Sequence, residues 1–322
     1  MGAARKFIDL FRRKPQMDYS YYKSLRLDQY PDALKAWYKR KTGKSLNLEN
    51  PHTFNEKIQW IKLYDSTPIK TRLTDKYLVR EWVAEKIGEK YVIPLLGVWD
   101  RFDAIDFESL PKTYALKANH GCGWNFLVGA NTVPDYSKMR NAFATWLQTN
   151  YAFVDGLELQ YKDIVPLIIA EEHIDNEETG LNDYKVWCYH GSPLYIQYLA
   201  NRKTRLQMRF YDTDWHPLPF CNTSTKSSEL RCAQPIAKPS NLEELLSLSA
   251  ELSKDFCYVR VDFYRLDDGS IKFGEMTFTP FSGACYWHPE EYDQKLGSML
   301  RLGHAAQTTD GRMASHHGLV KP

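Results

Sequence analysis

Apolar residues recur at helical spacing through about the first ninety positions and then give way to alternation. Pro31 can open a helix, and Gly43, just past Lys39, Arg40 and Lys41, can close it. Thr53-Phe54-Asn55-Glu56 carries the capping-box pattern ahead of Ile58, Trp60, Ile61 and Tyr64. A further helix is expected from about 75 to 87, stopped by Gly88. Residues 17–90 thus predict a helical N-terminal region.

Beyond it the period changes. Short strands are expected over 91–93, 96–99, 113–118 and 125–128, with a loop of Asn119, His120, Gly121, Cys122 and Gly123 between the last two and a helix over 135–149. From 165 onward strands dominate, over 166–172, 183–189 and 194–201, the last two joined at His190-Gly191. A helix over 241–254 has Ser240 as its N-cap. Strands over 258–266 and 271–279 flank Asp267-Asp268-Gly269-Ser270, a hairpin signal. A last helix runs over 289–302 and a polar tail over 303–322. The order is α+β, and its hairpins argue against a doubly wound parallel sheet.

Composition narrows the class. With 43% apolar and 25% charged residues the chain is neither disordered nor fibrous. No apolar run nears the roughly 18–20 residues that span a bilayer. A net charge of +2 argues against a dedicated nucleic-acid binder, so no nucleic acid is expected as a partner. The charge is uneven, however: residues 1–45 carry +8 and the remainder −6. Within the leader 1–16, Phe7, Leu10 and Phe11 share one helix side flanked by Arg5, Lys6, Arg12, Arg13 and Lys14. That pattern suits peripheral contact with an anionic membrane, and equally a solvated leader. The cysteines (Cys122, Cys188, Cys221, Cys232, Cys257 and Cys285) form no C-x-x-C pair, and no secretory signal is evident. Reduced thiols and a cytoplasmic setting, peripheral at the inner membrane face if the leader binds there, are the expectation.

Four segments carry candidate chemistry. In Tyr258-Val-Arg-Val-Asp-Phe-Tyr264 alternation puts Arg260 and Asp262 on one face, and in Gly274-Glu-Met-Thr277 it does so for Glu275 and Thr277. Two carboxylates and a hydroxyl are hard oxygen donors suited to Mg²⁺ beside phosphates rather than to zinc. An exposed, salt-bridged sheet face accounts for the same pattern. Lys117 ends a strand before the glycine-bearing loop with Gly121 and Gly123, a way to cradle phosphate, though a plain hairpin turn reads alike. Glu171 and Glu172 end an apolar strand that can offer backbone and carboxylate to an adenine and ribose, or simply be a solvated strand end. Lys185 alternates into the same sheet as a second phosphate-binding cation.

Taken in chain order, the four segments resemble the ATP-grasp superfamily. The strings ALKANHGCGWN, DYKVWCYHG and FGEMTFTPFSG are similar to its TupA-type (teichuronopeptide biosynthesis) branch, found with bacterial surface-polysaccharide pathways, over about 45–302. The resemblance implies two α+β subdomains gripping ATP: a lid and central subdomain over 91–165 and a C-terminal one over 166–302. It implies ATP and Mg²⁺, two ions, as cofactors, and carboxylate–amine ligation through an acylphosphate. Lys117, His120, Gly121, Gly123, Glu171, Glu172 and Lys185 would hold the nucleotide. Asp262, Glu275 and Thr277 would hold metal, and Arg260 would steady the transferring phosphoryl group, with Lys117 and Lys185 assisting. Two positions depart from the pattern: Thr277 stands where asparagine is usual, and Phe281-Ser282-Gly283 displaces the glycine usual after Pro280. The implied partners are an acidic polysaccharide or lipid-linked glycan, a uronic acid above all, and an amino acid or amine. Arg202, Lys203, Arg205 and Arg209 can receive such a glycan or form a solvated loop.

Two rival readings remain. A kinase acting on a glycan hydroxyl would use the same nucleotide site, with Asp183 or His288 as base. A glycosyltransferase or scaffold of polysaccharide assembly would want another donor site. Asp212-Thr-Asp214 has the acid spacing of one, but it sits in an expected turn.

Overall fold

The computed structural model describes residues 16–175, 181–200, 207–224 and 234–303. The leader up to residue 15, the tail from 304, and Arg202, Lys203 and Arg205 lie outside the described residues.

The N-terminal region is helical, as its periodicity requires. Helix α1 (Gln16–Ser24) precedes α2 (Tyr30–Thr42), which buries Tyr30, Ala33, Leu34, Trp37 and Tyr38 along one stripe. Gly43, at φ 75°, ends α2 by donating its N–H to the Lys39 carbonyl at 2.8 Å. In α3 (Phe54–Tyr64) the capping box closes in both directions. Glu56 N–H donates to Thr53 Oγ1 at 3.2 Å, and Thr53 N–H donates to Glu56 Oε2 at 3.0 Å. The 75–87 helix begins late. A separate α4 (Pro68–Thr74) ends at Asp75, whose carboxylate accepts from the N–H groups of Tyr77 and Leu78, and α5 (Val79–Ile87) starts only after that turn. Residues 91–93 are not a strand: a 3-10 turn at Glu89–Tyr91 leads instead to β1 (Leu95–Trp99).

Two antiparallel sheets follow. The first contains β1, β2 (Tyr114–Ala118), β3 (Asn125–Val128) and β4 (Ile168–Glu172), ordered β1-β4-β2-β3. Tyr114, Leu116, Ala118, Ile168 and Ala170 pack with Met139 and Phe143 of α6 (Tyr136–Trp146). Alternation therefore turns Lys117 and Glu171 to the opposite face.

The second sheet is ordered β10-β9-β5-β6-β7. It comprises β5 (Asn182–Tyr189), β6 (Ser192–Ala200), β7 (Gln207–Tyr211), β9 (Tyr258–Arg265) and β10 (Ile271–Thr277). Before β9 come β8 (Cys221–Thr223) and α7 (Leu242–Ser253); β8 pairs with β11 (Tyr286–His288), and α8 (Glu291–Met299) follows. Residues 207–211, 221–223 and 286–288 were not anticipated as strands; the last two are only three residues long. One face of the large sheet packs Val186, Val259, Val261 and Phe263 against Leu245, Leu252 and Val83 of α7 and α5. The other face is divided along its length. At one end Trp187, Tyr189 and Tyr258 pack under Phe54 of α3 and Leu296 of α8, each large side chain contributing about 1.5–3 kcal/mol by burial. At the other end the same strands present Lys185, Arg260 and Asp262.

The basic N-terminal stretch is partly answered by acids. Arg40 pairs with Asp18 at 3.1 Å, Lys41 with Asp155 at 2.9 Å and Lys44 with Glu290 at 2.5 Å. Lys41 and Lys44 thus meet acids in the body of the protein, whereas the Arg40 pair lies within the stretch itself.

Candidate active site

The ladder of the large sheet builds the site from the backbone outward. Lys185 on β5 lies opposite Asp262 on β9, and Asp262 lies opposite Glu275 on β10. Thr277 lies opposite Arg260. Five strand positions thus converge on one polar patch.

Their side chains interlock. Arg260 Nε donates to Asp262 Oδ1 at 2.6 Å and its Nη2 to Oδ2 at 2.7 Å. The same Nη2 reaches Thr277 Oγ1 at 3.0 Å and Glu275 Oε1 at 3.4 Å. Thr277 Oγ1 donates to Glu275 Oε1 at 3.2 Å. Lys185 Nζ pairs with Asp262 and lies 3.9 Å from Asp183. Asp262 is 2% exposed, whereas the Glu275 side chain keeps 36% of its surface open. Desolvation works to raise the pKa of Glu275. The charges of Lys185, Lys76 and Arg260, with the Thr277 hydroxyl, outweigh it and hold the pKa down at about 2. Glu275 is therefore an ionised, accessible oxygen donor at neutral pH.

The loop after β2 stands over this patch. Lys76, between α4 and α5, donates its Nζ to the Gly121 carbonyl at 2.6 Å and its N–H to the Asn119 carbonyl at 3.1 Å. Through Lys76 the loop borders Glu275. Gly121 is required by packing, since a Cβ there would lie 2.3 Å from the Trp124 ring, and Gly123 takes φ 72°. His120 is 2% exposed, with Nδ1 3.1 Å from Asn119 Oδ1 and Nε2 2.9 Å from the Trp146 carbonyl. Both nitrogens are engaged inside the protein, so the phosphate contact expected of His120 gives way to fastening the loop onto α6.

On the smaller sheet Lys117 and Glu171 meet. Lys117 Nζ lies 2.5 Å from Glu171 Oε2, and Arg80 Nη1 from α5 lies 2.5 Å from Oε1. Glu171 is buried between two cations, while Glu172 is exposed.

Several positions in contact with the candidate residues carried no signal in the sequence. Lys76 and Arg80 fell within an expected helix and carried no motif of their own. Glu158 was equally silent: it is buried, and the Thr279 hydroxyl donates to its carboxylate at 2.5 Å. Burial pushes it up to about 7, against the pull of Lys62, itself wholly buried and brought down to about 8 by desolvation. Other candidates lie apart from the patch. His288 Nε2 is 3.0 Å from Thr223 Oγ1 on the β8–β11 pair. Asp212 accepts from the N–H groups of Asp214 and His216, so the acid pair is a turn, as its position implied.

Two carboxylates and a hydroxyl on one sheet face are an oxygen set that fits Mg²⁺, and the surrounding cations fit polyphosphate. Two antiparallel sheets carry the site residues, one with Lys117 ahead of a glycine-bearing loop and one with an Arg-x-Asp strand beside a Glu-x-Thr strand, the order of parts that the ATP-grasp resemblance implies. A family model described as TupA-like ATPgrasp matches residues 56–301, and the chain belongs to that family.

Among solved structures the chain is similar to an L-amino acid ligase from Bacillus licheniformis. The identity is 14% and the TM-score 0.43, over 73% of this chain and 52% of that one. It is also similar to N5-carboxyaminoimidazole synthetase from Staphylococcus aureus (13%, TM-score 0.40, 71% and 50%). A third likeness is to the ATP-grasp ligase PsnB with a phosphomimetic precursor variant, Mg and ADP (10%, TM-score 0.39, 68% and 56%). The chain spans about half the length of these structures. No curated protein matches it. No described helix is long and apolar enough to cross a membrane.

Proposed function

We propose that the protein is an ATP- and Mg²⁺-dependent carboxylate–amine ligase that forms an amide through an acylphosphate. The observation that carries this reading is the convergence of Lys185, Arg260, Asp262, Glu275 and Thr277 on one polar patch beside the Lys76–Gly121 loop. Asp262 and Glu275 hold Mg²⁺, which supplies charge neutralisation for the β- and γ-phosphates when bound. Lys117, Lys185 and the 119–123 loop contact phosphate oxygens, and Glu171 and Glu172 border the nucleoside. Arg260 is kept charged by Asp262 and steadies the negative charge that develops as the γ-phosphoryl passes to a substrate carboxylate. An amine then attacks the acyl carbon; the C–N bond forms, the C–O bond to phosphate breaks, and phosphate leaves.

The family's polysaccharide association favours a uronic-acid carboxylate on a surface glycan or its lipid-linked precursor, and an amino acid or amine as acceptor. The test is incubation with ATP, Mg²⁺, a uronic-acid glycan and mixed amino acids. ADP, phosphate and a new amide are expected, and Lys117→Ala and Glu275→Ala should abolish all three. ADP with a phosphorylated glycan identifies a kinase instead, and activity retained in both variants removes the nucleotide-site assignment.

A further inference from the structure

We infer that Glu158 takes the proton of the attacking amine, and that the amine enters at the Thr279 end of the polar patch. The inference rests on the ligase reading above and names the residue that serves its second step.

Thr279 prolongs the row that β10 presents. Met276 and Phe278 pack into the core beneath the large sheet, so Glu275, Thr277 and Thr279 turn the other way. Asp262 and Glu275 stand at one level of the ladder and Arg260 and Thr277 at the next. Thr279 lies about 7 Å further along. Metal ligands, then the guanidinium, then Thr279 is the order in which Mg·ATP, the acylphosphate and an amine would have to lie. Glu158 closes the row. Its Oε1 accepts from the Thr279 hydroxyl at 2.5 Å, and Thr279 Oγ1 in turn accepts from Gln160 Nε2 at 2.7 Å. Lys62, whose charge acts on Glu158, spends its three N–H donors on Gln59 Oε1, the Ser282 carbonyl and the Ser282 hydroxyl. The carboxylate is thus not consumed by its buried counter-charge.

The backbone is bent on both sides of this meeting. Gly156 and Leu157, just before Glu158, take φ 78° and 58°, and Phe281 and Ser282, just after Pro280, take 52° and 53°. Three of the five non-glycine residues with positive φ among the described residues therefore flank Glu158 and Thr279. The two bends are tied together, since the Ser282 hydroxyl donates to the Asp155 carbonyl at 2.7 Å while accepting from Lys62. Such strain persists where the surroundings fix a geometry that function needs, and none of the nucleotide contacts calls on these bends.

The charges suit a base. Burial raises Glu158 to about 7, with repulsion from Asp155 and Glu275 adding to it and Lys62 and the Thr279 hydroxyl opposing it. Tyr151 and Tyr161 from the neighbouring turns and Cys122 from the loop after β2 also feel its charge, and burial holds all three protonated at neutral pH. A base works best when its pKa lies near the working pH. An ammonium arriving at Thr279 passes one N–H proton to the Glu158 carboxylate. The neutral amine attacks the acyl carbon; the C–N bond forms and the C–O bond to phosphate breaks. A second N–H proton leaves with the phosphate as hydrogen phosphate, and Glu158 returns its own to solvent.

The two halves of the reaction are read separately on the full chain. With ATP, Mg²⁺ and oligogalacturonate as the uronic-acid glycan, hydroxylamine intercepts the acylphosphate as a hydroxamate. Hydroxylamine is already neutral at pH 7 and needs no base. Mixed amino acids in its place report amide formation, which needs one. Glu158→Gln keeps an acceptor for Thr279. It should cut amide formation about a hundredfold at pH 7 and hydroxamate formation about threefold or less. Amide formation by the natural chain should rise with pH through about 7, and the variant should lack that rise. Thr279→Ala removes a hydrogen bond that favours ionised Glu158, so the rise should move to higher pH; this variant serves if Glu158→Gln does not fold. Equal loss of both products in folded Glu158→Gln leaves a structural role only and overturns the inference. Amide formation left intact, or a rise unmoved by Thr279→Ala, overturns it as well. A natural chain that yields hydroxamate but no amide overturns the inference while the acylphosphate step stands. One that yields neither overturns the ligase reading, and the inference with it.

Discussion

Glu275 stands directly opposite Asp262 because the β9–β10 ladder slips by one residue at Gly274. Phe273 pairs with Phe263, yet Glu275 pairs with Asp262. An unbroken hairpin would give Glu275 the facing of Phe273, into the core, and the bulge turns it back to the polar face. The bulge favours glycine, since a Cβ at 274 would crowd the Asp262 carbonyl oxygen at 3.0 Å and the Tyr264 ring at 3.2 Å. Gly274→Val should therefore lower unfolding stability by about 1–3 kcal/mol and weaken Mg·ADP binding at least tenfold. Urea denaturation and calorimetric titration measure the two effects. Unchanged affinity would show that the slip does not position Glu275.

Asp262 and Glu275 should respond differently to loss of charge. Asp262 is enclosed and holds both Arg260 and Lys185, so Asp262→Asn strands two cations and should cost about 3–5 kcal/mol. Glu275 is more open, so Glu275→Gln should cost about 1 kcal/mol or less while still weakening Mg·ADP binding. Denaturation midpoints set beside nucleotide affinities distinguish the two roles. Equal destabilisation by both substitutions contradicts the assignment.

Protons on Glu158 and Lys62 give stability a definite pH dependence. Native Glu158, raised to about 7, keeps a proton that the unfolded chain releases near its ordinary 4.5. Its contribution therefore falls as pH rises from about 4.5 to 7. Lys62 is lowered to about 8 from its ordinary 10.5, so its contribution climbs between those values. The pair contributes least between pH 7 and 8. The stability advantage of the natural chain over Glu158→Gln should thus shrink as pH rises from 5 to 7, in urea unfolding at a series of pH values. A flat difference would remove the proton from Glu158.

Gly121→Ala tests the loop. The added Cβ would lie 2.3 Å from a ring that stacks on Trp146, with centroids 5.9 Å apart. Either Trp124 or the loop must shift, disturbing the Gly121 carbonyl that Lys76 holds. Indole fluorescence should change, and nucleotide affinity should fall about tenfold or more. A change in fluorescence with unaltered affinity would confine the loop to packing.

Local signals in the sequence transferred well. The capping box at Thr53 and Glu56, the Gly43 stop and the Asp267–Ser270 turn each rest on neighbouring backbone groups, so a few residues suffice to specify them. Short edge elements carry too few positions for alternation to register, as with residues 221–223 and 286–288. Asp75 was read as the start of a helix but caps a turn, because Asn119, 44 positions away, also donates to its carboxylate at 2.9 Å.

The sequence by itself determined which strands carry Lys117, Glu171, Lys185, Arg260 and Asp262, because residue type and alternation are written along the chain. Contacts between distant segments were decided only by tertiary structure. Lys76 reaches the 119–123 loop, Glu171 rests between Arg80 and Lys117, and Glu158 is buried against Thr279. Even within the last hairpin, alternation allowed Asp262 and Glu275 to share one surface but did not require it. Register is a property of two strands together, and the one-residue slip at Gly274 settles it.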